Sequence, residues 1–346
     1  MRKNIILLAA LILIGCTIQK QNIQATSTII DTTVRATATS PIVFPTPSPT
    51  ITPSPTYIPS STFTPTPTTK PLTEREQVIA QHELERIQYL SEQGPALSIP
   101  ALEYHSDNYY TLYPNGAVVE LSPPAFVDQM SWFHDHHVHS VTGEELIAWL
   151  KGEIELPARS VILTFDLGNK PLESIYRMVS VFKQYQMFAI FTIYSYGMDP
   201  SESVVCAPDN CWQAYIDAYA SGYVTIGSHT ITHRDFATLS ASVGLNELLR
   251  SKKLIEEKIG QGLAVNILTW PYESVPPWGD KISTIGFEAA FGGNTYPILK
   301  NTAWLNKPED FFKLPRIIPP GSGGISGRPN GKTLEEIMIM YTNGWK

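Results

Sequence analysis

A parallel α/β barrel is the fold that the sequence predicts, and three observations predict it. Apolar runs of strand length alternate with amphipathic segments of helical period from about residue 160 to residue 270. The central run, Val161-Ile162-Leu163, is continuously apolar, as a strand buried on both faces requires. No G-x-G-x-x-G follows these runs, which favours a distorted (β/α) barrel over an open dinucleotide-binding sheet. The central strand ends in Thr164-Phe165-Asp166, and Gly168 then lets the backbone turn. A carboxylate at the carboxyl end of a buried strand resists full burial, so Asp166 either faces a cleft or a metal, or caps the next turn.

Composition narrows the function. The chain has 346 residues, a net charge of −7 and 43% hydrophobic residues, so no basic surface for nucleic acid is expected. Its three cysteines, Cys16, Cys206 and Cys211, form no CxxC pair, which argues against a cysteine zinc site.

Met1-Arg2-Lys3 precedes an apolar run, Ile5 to Ile14, too short to span a bilayer comfortably. The run ends in Leu13-Ile14-Gly15-Cys16, which resembles the lipobox of bacterial lipoproteins. That resemblance implies a signal peptide over 1–16, lipidation of Cys16, and an exported protein held at the membrane through its lipid. Residues 17–72 are rich in Thr, Ser and Pro, with no charge between Ala36 and Thr69. Such a composition cannot offset its ordering entropy, so it reads as a tether reaching on the order of 100 Å when extended.

Order is expected from residue 73. Thr73 and Glu76 make a capping-box pattern, and Ile79, Leu84, Ile87 and Leu90 recur at helical spacing over an N-terminal helix within 73–98. A barrel domain is expected over 99–346, with its core at about 159–346. Ile99 to His105 reads as a strand, and Asp107 to Leu121 as a hairpin turning at Pro114-Asn115-Gly116. Helices follow around Phe126, Met130 and Phe133, and after Thr142 with Glu145 as its capping partner. Beyond the central strand, Pro171 opens a helix carrying Leu172, Ile175, Met178, Val179 and Phe182. Phe188–Tyr194, Tyr223–Gly227 and Leu263–Trp270 are strands, separated by helices over Trp212–Ser221 and Ser242–Ile259; Gly321–Gly331 is a loop.

Gly227-Ser228-His229-Thr230-Ile231-Thr232-His233 places two histidines four apart after a strand. On a helical turn that spacing puts both imidazoles on one side, able to grip one cation; as an isolated pattern it is equally a pair of surface or core histidines. T-F-D-L-G followed by S-H-T-I-T-H resembles the polysaccharide deacetylases of carbohydrate esterase family 4, the NodB homology domain. Phe126–Met130 (F-V-D-Q-M), Thr142–Leu146 (T-G-E-E-L) and Leu314–Ile317 (L-P-R-I) are similar to its secreted poly-N-acetylglucosamine deacetylase branch.

The resemblance implies removal of N-acetyl groups from an envelope or extracellular glycan with a divalent metal, zinc. It implies Asp166 as general base, His229 and His233 as metal ligands, and Thr230 as the hydroxyl residue between them. Trp270-Pro271-Tyr272 matches the motif in which the tyrosine N–H helps form an oxyanion hole. No histidine follows His233, and Tyr104-His105 matches the permuted branch, which makes His105 the proton donor or simply the end of a strand. Two departures stand out. The family's metal-binding aspartate is Leu167, and its third-motif arginine is replaced by Thr269-Trp270. Either water or another acid completes the site of a metal-dependent hydrolase, or metal binding is weak; the rival reading is a glycan-binding domain that has lost its metal. His134, His136, His137 and His139 form a second cluster, expected on a solvated loop or as an accessory metal site. Cys206 and Cys211 are a small-loop disulfide or two reduced thiols.

Overall fold

The computed structural model describes residues 71–105, 121–168, 172–198, 210–292, 298–299, 311–320 and 331–345, within the unit Thr68–Lys346. The expected signal, Cys16, the expected tether up to residue 70, the expected 107–121 hairpin except Leu121, Pro171, Cys206 and most of the 321–331 loop lie outside these residues. Thr73 closes a complete capping box with Glu76, so helix α1 (Glu74–Gln93) starts where the sequence places it and stops at Gly94, φ 75°. Its buried face differs from the expectation. Leu84 and Ile87 are more than half exposed, whereas His82 and Arg86 are buried. The helix docks on polar groups: Arg86 donates to the Glu155 carbonyl, and Arg75 to the carbonyls of Tyr219 and Val224.

Pro100, which cannot donate to a ladder, divides the next strand into β1 (Ser98–Ile99) and β2 (Ala101–Tyr104). Helix α2 (Pro123–Asp135) buries Phe126, Met130 and Phe133, as their spacing requires. Strand β3 (His139–Ser140) and capping-box helix α3 (Gly143–Leu150) lead into β4 (Ser160–Leu167), buried at every position. Helix α4 (Leu172–Tyr185), β5 (Ala189–Ile193), α5 (Asn210–Ala220), β6 (Val224–Ser228), α6 (Ala241–Ile259), β7 (Ile267–Thr269), β8 (Ala289–Phe291), β9 (Ile298–Leu299) and α7 (Leu334–Tyr341) complete the order.

The main sheet runs β2-β4-β5-β6-β7-β8 with all neighbours parallel, and β3 pairs with the start of β4. Residues 311–320 join its two edges. Leu314 bridges to Phe291 on β8, and Ile317 bridges to Leu102 on β2. This segment closes the distorted barrel.

Period-2 alternation sorts the strands into two cores. Leu163, Phe165, Leu167, Phe191, Ile193 and Ile226 face the helices. Ile162, Ile190, Ile267, Phe291 and Leu314 point inward, where Leu146, Trp149 and Leu150 of α3 pack with them. Gly227 on the inner face has no room for a side chain, since a Cβ would stand 2.8 Å from the Ile267 carbonyl oxygen. With one end filled by apolar side chains, the polar inward residues collect at the carboxyl ends of the strands.

Candidate active site

Asp166 is the inward residue at the end of β4 and is 5% exposed. Arg316, from the closing segment, donates from Nη1 to Asp166 Oδ1 and from Nη2 to Oδ2, both at 2.8 Å. Thr192 on β5 adds a hydroxyl donor to Oδ1 at 2.9 Å. The arginine missing from Thr269-Trp270 is thus supplied from another place in the chain. Trp270 holds the segment that carries it, donating from Nε1 to the Phe312 carbonyl at 2.9 Å. Arg316 also donates from Nε to Glu273 Oε1 at 2.8 Å and stands 3.5 Å from Glu103 Oε1.

The histidine pair converges by a different route from the one expected. Residues 229–233 form no helix; Thr230 and His233 both have left-handed backbones, φ 72° and 53°. The Thr230 hydroxyl accepts the His233 N–H at 3.0 Å, folding the turn so that the two rings meet edge to face at 4.7 Å. His229 Nδ1 must carry its hydrogen, because it faces the Thr269 carbonyl at 2.9 Å, an oxygen that only accepts. Nε2 is left as the lone-pair nitrogen, 3.8 Å from Asp166 Oδ2. His105 directly follows β2, and its Nε2 lies 3.8 Å from Glu103 Oε1. Donor atoms of Glu103, His105 and Asp166 all fall within 4.8 Å of one another. Tyr104 is structural: it stacks on Phe165 and donates to Gln129 at 2.7 Å. Tyr272 is 54% exposed, with its ring edge-on to His233 at 4.8 Å. Tyr272 and Glu273 are consecutive left-handed residues, φ 59° and 56°, a conformation that costs about 1–3 kcal/mol each and clusters at functional sites.

Electrostatics divide the groups. Burial alone would raise the Asp166 pKa, but the Arg316 charge and hydrogen bonds, with His229 and His105, hold it well below the usual carboxylate range. Burial pushes His229 down to about 4 despite Asp166, and lowers His233 as well, so both imidazoles are neutral at pH 7. Burial also raises Glu103, and raises Glu273 to about 7 against the pull of Arg316. His229, His233 and Asp166 are donor types that a divalent cation takes, while the donor atoms that lie within 4.8 Å of one another are those of Glu103, His105 and Asp166. Glu103, whose Oε1 is buried and without a hydrogen-bond partner, is a carboxyl group beside His105 and Asp166 that sequence reasoning missed. Leu167 is fully buried in the outer apolar core and offers no ligand.

Glu273 gives the site a pH signature. A carboxyl raised in the folded state confers stability that is fully present below its unfolded value of 4.5 and lost as pH rises through about 7. Glu273→Gln is expected to make the slope of stability against pH between 4.5 and 7 less negative. Urea midpoints across that range measure it, and an unchanged slope contradicts the assignment.

The other sequence candidates separate. His134 and His136 meet the carbonyls of Tyr185 and Trp132, and His137 meets the Tyr89 hydroxyl. His139 turns away into the base of the barrel, so the run of four is no single cluster and His139 is not on a solvated loop. Cys211 is disulfide-bonded.

A curled parallel sheet thus carries an Asp-Arg-His centre at its carboxyl edge. Residues 153–284 match the family model for polysaccharide deacetylase. Over that stretch the chain is similar to polysaccharide deacetylase domains. The protein YxkH of Bacillus subtilis, described as a polysaccharide deacetylase, is 25% identical over 183 residues, covering 53% of this chain. The match spans 59% of that relative's length. The fold is shared with the Streptococcus pyogenes deacetylase PplD in complex with acetate, at TM-score 0.56 and 17% identity over 71% of this chain and 99% of that one. IcaB from Ammonifex degensii superposes at TM-score 0.51 and 23% identity, covering 65% and 92%.

Proposed function

We propose that the domain hydrolyses N-acetyl groups on an envelope or extracellular polysaccharide. The observation that carries this reading is Asp166, ionised and pinned by Arg316, with His105 and the neutral His229 beside it. Asp166 takes the proton of a water that adds to the acetamide carbon. His105 gives a proton to the nitrogen as the C–N bond breaks, leaving acetate and a free amine. His229 and His233 would hold the divalent cation, zinc, with Glu103 as the nearby anion in place of the residue that Leu167 displaces. A cation held there would supply polarisation of the acetyl carbonyl and acidification of water, and Asp166, held well below the usual carboxylate range, is by itself a weak base. Tyr272, at the rim, is the proposed oxyanion residue.

Leu167 favours a second reading, a glycan-binding domain without catalysis. Acetate release from N-acetylglucosamine oligomers, with and without added zinc, separates the two. Oligomer binding with no acetate release under either condition supports the binding module and rejects the hydrolase. Anchoring through Cys16 is part of the proposal and rests on the lipobox pattern. Cys16→Ser is expected to move the protein out of the membrane fraction, and unchanged fractionation and mass reject the anchor.

A further inference from the structure

Taking the deacetylase reading for the identity of the polymer, we infer that a cavity beside the histidine turn binds an anionic group on it. That group is a carboxylate or a phosphate on a sugar unit flanking the acetylated one. The cavity measures about 430 Å³ and lies between residues 231–234 and α6. Ile231 and Thr232, which line it, stand between His229 and His233, so one turn serves both places. Strand β6 runs parallel to its neighbours and ends at the carboxyl edge. The first half of α6, which follows it, therefore lies at the same end of the barrel as Asp166.

The charged residues lining the cavity are Arg234, Glu247 and Arg250. Glu247 is 6% exposed and both its oxygens are engaged. Oε1 accepts from the Thr232 N–H at 2.9 Å and hydroxyl at 2.7 Å, and Oε2 accepts from Arg234 at 2.9 Å. Arg234 and Glu247 therefore cancel. Arg250 is left as an exposed guanidinium with no ion pair or hydrogen bond among the described residues. Its planar fork matches the paired oxygens of a carboxylate or a phosphate. Ser242, Asn246 and Arg250 recur every four residues, so they share one face of α6 and span about 12 Å at ~1.5 Å per residue. That is room for a sugar ring and its charged substituent. Ile231 and the half-exposed Val243 offer apolar surface to the ring, and the Asn246 amide can both donate to and accept from hydroxyls. Ser242 and Val243 belong to the first turn of α6, whose N-cap Ser240 makes no side-chain cap bond, and this positive end also favours an anion. The plain alternative is a solvated arginine that binds nothing. The chain as a whole carries a net charge of −7 and repels an anionic polymer, so any preference for one is local to this cavity.

The test is calorimetric binding of N-acetylglucosamine tetramers to the full chain. Three forms are compared: neutral, with a C6 carboxylate on the flanking units, and with a C6 phosphate there. At low ionic strength a charged form is expected to bind about 5–10-fold tighter than the neutral one, an advantage that high salt removes. The charged form that gains more identifies the substituent. Arg250→Gln should erase the advantage and leave the affinity for the neutral tetramer unchanged; glutamine suits an exposed helix position, so the variant is expected to fold. No binding of either charged form, equal binding of charged and neutral forms, or an advantage that Arg250→Gln keeps each overturns the proposal. Acetate release is measured separately. A charged-form advantage without any acetate release would defeat the deacetylase reading and leave this site standing, and release from the neutral tetramer without the advantage does the reverse.

Discussion

Replacing Arg316 with methionine is expected to destabilise the domain by about 3–5 kcal/mol at pH 7, because it leaves buried carboxylates without their counter-charge. Arg316 is 4% exposed and faces Asp166, Glu103 and Glu273, all on the inner side of the barrel or at its rim. It also belongs to the segment that joins β8 to β2, so its pairing and barrel closure are one event. Lysine should not rescue it, since one ammonium cannot reproduce the two parallel bonds to Asp166. The pH dependence has a definite sign. In Arg316→Met, burial raises the carboxyl pKa values unopposed, so stability recovers as pH falls and the carboxyls take up protons. Wild-type Asp166, held low, contributes in the opposite sense, with stability present above its ordinary value and lost in acid. Urea denaturation at pH 5 and pH 8 measures both. A loss below about 1 kcal/mol would place the pair in the range of exposed ion pairs and contradict its burial.

The parts of this architecture legible in the sequence are those written locally. The acid closing a buried apolar run located Asp166, and the capping boxes at Thr73 and Thr142 located two helix starts to the residue. Arg316 was not legible as a partner of Asp166. The two are 150 residues apart, and Leu314–Ile317 carries no periodicity that says which side chain turns inward. Its only trace was the L-P-R-I stretch. On α1 the apolar spacing misled, because spacing cannot know that the barrel base presents Glu145 and the Glu155 carbonyl, which make His82 and Arg86 the buried side. The two histidines do come together, but through a turn and not a helix. Thr230 and His233 reach a common point through left-handed backbone, which residue type alone does not announce for a threonine.

Asp166→Asn and His105→Gln are expected to lower the rate of acetate release by ~10²–10⁴-fold each, the range for a positioned base or acid. Asparagine keeps the shape of Asp166 and an oxygen for Thr192 and Arg316 Nη1, but sets its amide against the Arg316 Nη2 donor. Some stability is lost with it, so the comparison is made below the melting transition. The substrate distinguishes the two roles. An acetamide cannot expel its amine unprotonated, whereas an aryl acetate expels a phenolate that needs no proton. His105→Gln should therefore depress amide hydrolysis strongly and aryl acetate hydrolysis little, while Asp166→Asn depresses both. The double variant should be little slower on the amide than the poorer single one, because groups acting in one step are non-additive. Equal sensitivity of both substrates to His105→Gln would remove His105 from the acid role and return it to the end of a strand. Loss of neither activity in Asp166→Asn would show that the Arg316–Asp166 pair closes the barrel and does nothing else.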